Sequence, residues 1–308
     1  MFMIKYSVVI CAYNATARLR RTLEHLVALD YQPEMVEIIL VDNNSNDGTA
    51  EFAQNVWAAF ETRFSLRIVM EKNQGLSHAR KRGIREAQGE FIVFCDDDNW
   101  LDSQYLKIAN AVLENNSAIG VIGGQGIPVT DAEQLPNWFY TYADGYATGV
   151  QAMNSGDISA RGYVWGAGAI VRRYLLLAAV SDGKEWLMSD RTGSVLSSGG
   201  DSEMCKWYLL AGYKLWYEER MMFHHFIPKD RLTLEYLEKQ HRGFEQAATI
   251  INLYDAYLRR SVLRKQWYNQ LKSWLLSELR FFLNRNPDKK RVVNLARSIT
   301  QSNVRKSY

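Results

Sequence analysis

The sequence predicts an α/β fold, with a doubly wound, mostly parallel β-sheet followed by a C-terminal helical extension. The first observation is that short apolar segments rich in Val and Ile alternate with segments of helical periodicity over the first 125 residues. The second is that these apolar segments lack alternating polar positions, which is typical of parallel strands covered on both faces. Strand alternating with helix is the pattern of a parallel sheet flanked by helices.

Strands and helices alternate in order through the first part of the chain. Five strands are predicted, at Tyr6–Ala12, Val36–Asp42, Leu66–Glu71, Phe91–Asp96 and Ile119–Gly123. Four helices are predicted between them, at Ala17–Leu29, Thr49–Phe60, Leu76–Ala87 and Ser103–Glu114. Asp47 and Asp102, which can cap a helix through their side chains, precede the second and the fourth helix.

Beyond residue 124 the alternation weakens. Prolines, glycines and a group of aromatic residues predict a long loop over residues 124–162. A helix near Met204–Ala211 and a strand near Tyr213–Glu218 follow it. After Pro228 the pattern is helical to the end of the chain, and Pro287 is expected to separate the last two helices.

The composition indicates a globular protein without covalent cross-links. Apolar residues make up 47% of the chain and charged residues 23%, which is ordinary for a soluble domain. The three cysteines are widely spaced, which argues against a disulfide framework or a zinc site. The sequence begins almost directly with a predicted strand and has no run of about 18 apolar residues, so we expect no signal peptide, no membrane span and a cytoplasmic location.

Charge is distributed unevenly along the chain. Residues 256–308 contain 13 Lys or Arg and 2 Asp or Glu, a balance of +11, whereas the rest of the chain has a balance of −8. In the same segment large apolar side chains recur near helical spacing, at Trp267, Leu271, Trp274, Leu275, Phe281 and Phe282. This pattern fits a helix lying on the inner face of an anionic membrane, and also a helix packed on the protein or on a second protomer of a homodimer. Nucleic-acid binding is not expected, because no recognised module accompanies the basic residues.

Polar side chains follow three predicted strands at their carboxyl ends, where open α/β sheets bind ligands. Tyr13 and Asn14 follow the first strand, Asp42 ends the second, and Asp96–Asp98 lie at the end of the fourth. Three adjacent carboxylates raise one another's pKa unless a cation lies among them. Their oxygen atoms suit Mg²⁺ or Mn²⁺, although acids at this place can also cap the next helix.

The third strand is joined to the third helix by a segment that contains Asn73 and Gly75. Gly75 permits a close approach of backbone to a ligand. Arg80 lies one turn into the helix, where it either meets a diphosphate or remains a solvated charge. Asp42 can accept a hydrogen bond from a base or a ribose.

Two later motifs carry ionisable groups. Asp201 and Glu203 follow two glycines and open a helix, where an acid either caps the helix or acts as a general base toward a hydroxyl group. His224 and His225 lie near a strand end. They are either metal or phosphate contacts or ordinary structural histidines.

Four of these segments, taken in order, resemble the family 2 glycosyltransferases of the GT-A fold: Val8–Asn14, Val41–Thr49, Asn73–Arg80 and Asp96–Asp98. The resemblance covers about residues 5–232. It implies a Rossmann-like GT-A catalytic domain over residues 1–232, in which residues 1–125 bind the nucleotide and residues 126–232 bind the acceptor. A basic helical extension would occupy residues 233–308.

The resemblance also implies a role for each matching residue. The base and ribose of a nucleotide would contact Ala12, Tyr13, Asn14, Asp42, Asn73 and Gly75. Arg80 would lie on the phosphate side. Asp96 or Asp97 would touch the ribose and the donor sugar, whereas Asp98 would hold Mn²⁺ or Mg²⁺ together with His225.

The segment Gly199–Met204 resembles the acidic motif of the family. This resemblance implies that Asp201 is the catalytic base. This chain has Gly200 where the family usually has Glu, which leaves Glu203 as the alternative. The implied reaction is an inverting transfer from a nucleotide-diphosphate sugar, a UDP-sugar first of all, to a hydroxyl of a saccharide or lipid-linked acceptor in surface polysaccharide or glycan synthesis.

Two other functions use a similar fold. A sugar-nucleotide nucleotidyltransferase would need a Gly-rich, basic loop after the first strand, and Cys11–Asn14 is not such a loop. A non-catalytic carbohydrate-binding protein would not need the full set of acids and the histidine. Both alternatives are therefore less favoured than the transferase.

Overall fold

The computed structural model of the protein describes residues 4–183, 186–188, 199–265 and 288–304. Its strands are β1 (Tyr6–Ala12), β2 (Val36–Asp42), β3 (Ser65–Met70), β4 (Phe91–Asp96), β5 (Asn99–Leu101), β6 (Ile119–Val129), β7 (Gly156–Asp157), β8 (Ile170–Arg172) and β9 (Lys214–Phe226). Its α-helices are α1 (Leu19–Val27), α2 (Thr49–Ala58), α3 (Leu76–Glu86), α4 (Tyr105–Glu114), α5 (Phe139–Tyr142), α6 (Arg173–Ser181), α7 (Gly200–Leu210), α8 (Leu234–Lys265) and α9 (Lys289–Val304).

The strands of the described residues form one sheet in the order β3-β2-β1-β4-β8-β6-β9-β5, with β7 beside β9. The half that contains β3, β2, β1 and β4 is parallel throughout. β8 runs antiparallel to both of its neighbours, and β6 and β9 are parallel to each other. The predicted α/β fold with a doubly wound, mostly parallel sheet is confirmed.

The register of β1 decides which residues meet at the edge of the sheet. Ala12 lies opposite Asp42 of β2, and Cys11 lies opposite Asp96 of β4. The chain leaves β1 toward β2 on one side and later returns to β4 on the other side. A sheet that reverses its winding in this way opens a crevice at the carboxyl ends of the two central strands.

Side chains of β1 alternate between two buried clusters on opposite faces of the sheet. Val8 and Ile10 belong to the cluster that α1, α2 and α4 cover. Val9 belongs to the cluster that α3, α6, α7, α8 and α9 cover. Because helices cover both faces, every position of the strand can be apolar.

Most boundaries agree with the predicted ones. β1, β2 and β4 have the predicted bounds, and β3 and α1 to α4 differ by one or two residues at an end. β6 and β9 are longer than predicted, extending to Val129 and Phe226, because they pair with each other over most of their lengths. β5 is a short strand that pairs with β9, and no pattern of its own predicts it.

α8 and α9 share a buried cluster with α7. Tyr254 of α8 and Val292 and Ala296 of α9 are fully buried in it. The buried ammonium group of Lys206 on α7 lies 2.7 Å from the Asp255 carboxylate on α8. The first and last parts of the predicted extension therefore contact the rest of the protein through apolar and charged groups.

The amphipathic segment predicted from Trp267 to Phe282 lies outside the described residues. Its contact with a membrane or a second protomer stays a prediction, and so does a domain boundary at residue 232. Within the described ranges, no helix is long and apolar enough to cross a membrane.

Glu203, which the sequence offers as the alternative to Asp201 as base, is held by several hydrogen-bond donors. Its side chain is fully buried on α7. The backbone N–H groups of Leu187 and Met188 donate to its two oxygens at 3.0 and 2.9 Å, and the Tyr254 hydroxyl donates to it at 2.7 Å. A carboxylate enclosed by these donors fastens α8 and the 186–188 segment to α7.

We predict that Glu203→Gln lowers the free energy of unfolding by about 2 kcal/mol or more, because the new amide N–H group would face backbone N–H groups that are left without an acceptor. Urea unfolding followed by circular dichroism measures the change. Glu238→Gln, an exposed position on α8, is the control and should change stability by less than about 0.5 kcal/mol. Equal stability of Glu203→Gln and the unmodified protein would contradict the structural role.

Candidate active site

A cavity of about 650 Å³ opens at the carboxyl ends of β1 and β4. Its volume lies within the range of about 300–1,000 Å³ that is typical of ligand sites. Nine residues predicted for the site line it: Ala12, Tyr13, Gly75, Arg80, Asp96, Asp97, Asp98, Asp201 and His225. The folded chain thus brings together groups that are more than two hundred residues apart in the sequence, such as Ala12 and His225.

Asp97 is held by an arginine that sequence reasoning missed. Arg18, which immediately precedes α1, donates from Nε and Nη2 to the two carboxylate oxygens of Asp97, each at 2.7 Å. The same guanidinium donates to the backbone carbonyls of Tyr13 and Asn14. Burial raises the pKa of Asp97 to about 6, although Arg18 acts in the opposite direction. A basic residue shortly after the first strand is the only sequence signal for this contact.

Asp98 lies between His225, near the end of β9, and Arg231, which follows that strand. Its Oδ1 is 3.5 Å from Nε2 of His225, and its Oδ2 accepts a hydrogen bond at 3.1 Å from Arg231. Burial alone would raise the pKa of Asp98, but His225, Arg231 and Arg18 lower it well below its usual value. Asp98 is therefore an ionised carboxylate. Arg231, three residues after Pro228, was not among the predicted site residues.

The tautomer of His225 bears on the predicted metal site. Its Nδ1 lies 2.7 Å from the backbone carbonyl of Tyr146, which can only accept, so Nδ1 carries a hydrogen. In neutral imidazole Nε2 then has a free lone pair, and this atom faces Asp98. A metal-binding histidine characteristically donates its other N–H to a carbonyl or carboxylate in this way.

The side chains of Asp98 and His225 could provide some of the ligands of a divalent cation, with water and substrate phosphates as the others. In the described part of the chain, no three His, Cys, Asp or Glu side chains gather into a metal cage made by protein alone. Mg²⁺ is commonly bound by only one or two carboxylates together with water and substrate phosphates. The ionised carboxylate of Asp98 meets that requirement, and Nε2 of His225, 3.5 Å from it, offers a nitrogen atom as a further ligand.

Asp201 lies in the first turn of α7 and faces the cavity. Its Oδ2 accepts a hydrogen bond at 3.0 Å from the backbone N–H of Gly166, and its Oδ1 accepts one at 2.7 Å from Ser202. These bonds fix the direction of the carboxylate. The groups around it leave it less enclosed than the buried Glu203.

Gly166 separates Asp201 from Arg80. A Cβ atom at this glycine would lie 2.9 Å from Nη2 of Arg80 and 3.1 Å from Cβ of Asp201. The guanidinium of Arg80 also stacks over Phe94, 5.6 Å from the ring centre. A side chain at position 166 would push apart the Asp201 carboxylate and the Arg80 guanidinium, so the absence of Cβ permits both to line one cavity.

Three predicted nucleotide contacts do not line the cavity: Asn14, Asp42 and Asn73. Asp42 is 2% exposed and accepts the backbone N–H of Ser45 at 3.0 Å. Asn43, which was not predicted, lines the cavity in its place.

Asn43 also organises the loop before α3. Its amide group donates to the carbonyl of Asn73 and accepts from the N–H of Gly75, both at 2.7 Å. The roles of Asn14, Asp42 and Asn73 toward a nucleotide stay predictions. In the structure, Asn14 and Asp42 contact the loop between β2 and α2.

A second feature that sequence reasoning missed is a cluster around Asp144. The carboxylate of Asp144 accepts hydrogen bonds from Tyr163 at 2.6 Å and from the indole N–H of Trp165 at 2.8 Å, and it also pairs with Arg161. Asp144, Tyr163 and Trp165 line the cavity. The cluster fixes the segment that leads into Gly166, in the region predicted only as a long loop.

The sequence matches the model of the family described as "Glycosyl transferase family 2" over residues 7–167, just over half of the 308 residues. A cholesterol galactosyltransferase of Borreliella burgdorferi is 34% identical over 117 residues, which is 37% of this chain and 31% of that relative. The poly(ribitol-phosphate) beta-N-acetylglucosaminyltransferase TarS of Staphylococcus aureus is 28% identical over 134 residues, which is 41% of this chain and 23% of that relative. The matches thus span less than a third of these relatives' lengths.

Solved structures with the same fold are similar over nearly the whole chain. S. aureus TarS 1–349 in complex with UDP-GlcNAc has a TM-score of 0.55 at 16% identity and covers 98% of this chain and 90% of that one. The mannosyltransferase PcManGT from Pyrobaculum calidifontis, in complex with GDP-Man and Mn²⁺, has a TM-score of 0.53 at 17% identity, covering 99% and 76%. At this identity the likeness concerns the fold. Because the family model matches more than half of the residues, the chain belongs to the family 2 glycosyltransferases and has their GT-A fold.

Proposed function

We propose that the protein is an inverting glycosyltransferase that moves a sugar from a nucleotide-diphosphate sugar to a hydroxyl of a saccharide or lipid-linked acceptor. One observation carries the proposal. Asp201 and Arg80 lie on either side of Gly166, in the same cavity as the acidic residues 96–98. A carboxylate base, a cation for the leaving group and a binding site for the donor are therefore adjacent.

A UDP-sugar is the first donor to test. A structural neighbour binds UDP-GlcNAc and another binds GDP-Man, which supports a nucleotide sugar as the donor class. The named relatives act on different acceptors, a sterol and poly(ribitol phosphate). The segment that these relatives share with this chain therefore does not determine the acceptor. We propose surface glycan synthesis as the broad process.

The residues of the chain suit a single in-line displacement. Asp201, held by Gly166 and Ser202, removes the proton from the acceptor hydroxyl as that oxygen attacks the anomeric carbon. The bond between this carbon and the diphosphate oxygen breaks, and the diphosphate leaves with the electron pair. Arg80 stabilises the negative charge that develops there. Attack opposite the leaving group inverts the configuration.

Asp98 and His225 would hold Mn²⁺ or Mg²⁺ beside the diphosphate. When bound, such a cation neutralises charge on the leaving group. Arg231 and Arg18 pair with Asp98 and Asp97 and fix the positions of these two carboxylates. The acidic residues are thus oriented before the donor enters.

Asp201→Asn tests the base. We expect transfer to fall by about 10²–10⁴-fold, the usual contribution of a general base, while thermal stabilisation by UDP with Mn²⁺ is unchanged. Release of UDP from a panel of UDP-sugars, with and without candidate acceptors, measures turnover. Asp30→Asn, a half-exposed carboxylate on the surface, is the control. Full turnover by Asp201→Asn would remove the assignment, and pyrophosphate release from a nucleoside triphosphate would favour a nucleotidyltransferase.

A matched histidine pair tests the metal site. His225→Gln should weaken Mn²⁺ binding in the presence of UDP by about tenfold or more, because the cation loses the imidazole of His225 as a ligand. His224→Gln, one position along β9 and outside the cavity lining, should leave it unchanged. Isothermal titration calorimetry measures both affinities without any need for turnover. Equal affinity of the two variants would show that His225 does not hold the cation.

A further inference from the structure

α8 forms one wall of the cavity, although it lies beyond the segment that matches the family model. The α8 residues that line the cavity recur on one side of the helix: Tyr236, Gln240, Phe244, Ala247, Ala248 and Ile251. Spacings of three and four residues place such side chains on one face. None of these six side chains is charged, whereas the other walls of the cavity contain the acidic residues 96–98 with their arginines.

The α8 wall is close to the proposed base. A Cβ atom at Gly199, two residues before Asp201, would lie 3.1 Å from Cβ of Ala247. A Cβ atom at Gly145, next to Asp144, would lie 3.2 Å from the Phe244 ring. α8 therefore spans the cavity from the start of α7 to the loop that positions Trp165.

The apolar side chains on this wall remain accessible. Phe244 is 39% exposed, Ala248 is exposed and Ile251 is partly exposed. Leu253 and Tyr254, which pack α8 against α7, are buried by contrast. Phe244, Ala248 and Ile251, which we call the α8 stripe, are thus not used to fasten the helix. Exposed apolar surface inside a ligand cavity commonly marks a binding site.

We propose that the α8 stripe binds the apolar part of a lipid-linked acceptor, next to the sugar whose hydroxyl reaches Asp201. This inference rests on the proposed transferase function and narrows its acceptor to a glycolipid. The charges divide the cavity in the same sense, because the cations that the diphosphate of the donor requires lie on the other walls, at Arg18, Arg80 and Arg231. A long hydrocarbon chain gains free energy from every methylene that leaves water, and the uncharged α8 wall can receive it.

Alkyl glucosides of different chain length test the stripe directly. Octyl β-glucoside, used below its critical micelle concentration with UDP and Mn²⁺ present, should bind at least about tenfold more tightly than methyl β-glucoside, because apolar burial grows with chain length. Isothermal titration calorimetry on the full chain measures both affinities. Equal affinity for the two glucosides would overturn the proposal.

A matched pair on α8 locates the binding. Ala248→Asp places a charge in the stripe and should remove the advantage of the octyl chain. Thr249→Asp places the same charge at the next, exposed position, which does not line the cavity, and should retain it. Phe244→Ser is a second variant that should also reduce octyl binding. If Ala248→Asp and Thr249→Asp bind octyl β-glucoside equally, the site lies elsewhere and the proposal is wrong.

Donor turnover in the same samples separates the two proposals. Release of UDP without any preference for the octyl chain would overturn the lipid subsite and leave the transferase function standing. Octyl binding that depends on Ala248, combined with no turnover of any nucleotide sugar, would overturn the transferase function and leave the apolar site. The expected result is turnover together with chain-length dependence that only the stripe variants lose.

Discussion

The site depends on the neutralisation of two carboxylates that are buried at the end of β4. Asp97 and Asp98 are 6% and 5% exposed, and ionised carboxylates at such depth are unstable without partners. Arg18 supplies the countercharge for Asp97, and Arg231 supplies it for Asp98, whose other oxygen faces Nε2 of His225. These partners come from the two ends of the catalytic fold, so the charge requirement ties the end of β9 to the start of α1.

A second constraint is steric. Gly166 allows Arg80 and Asp201 to approach the same space, and the Asp144 cluster holds the segment that carries this glycine. The proposed base and the proposed stabiliser of the leaving group are thereby positioned by backbone. Glu203, only two residues from Asp201, has a different task because its side chain points into the contact between α7 and α8.

Sequence patterns predicted β1, β2 and β4 to the residue, because each is a mostly apolar segment with polar residues at or just after its carboxyl end. They were less successful for β9, where polar residues such as Glu218 and Arg220 interrupt the apolar pattern. β9 is held by its pairing with β6. The local sequence pattern contains no information on a partner strand that lies about ninety residues away. The contribution of α8 to the cavity was not predicted either, because α8 is distant in the sequence from the strand ends that it faces.

By itself, the sequence determined the fold class, the strand ends at which polar residues gather and the family. Each of these follows from local periodicity or from residues that are close along the chain. Only the tertiary structure shows how different the surroundings of Asp201 and Glu203 are, although both are carboxylates in the first turn of α7. Burial distinguishes them, since one carboxylate faces the cavity and the other is enclosed by donors. The countercharges Arg18 and Arg231 were likewise decided in three dimensions, because the distance between two charges depends on the whole fold that separates them.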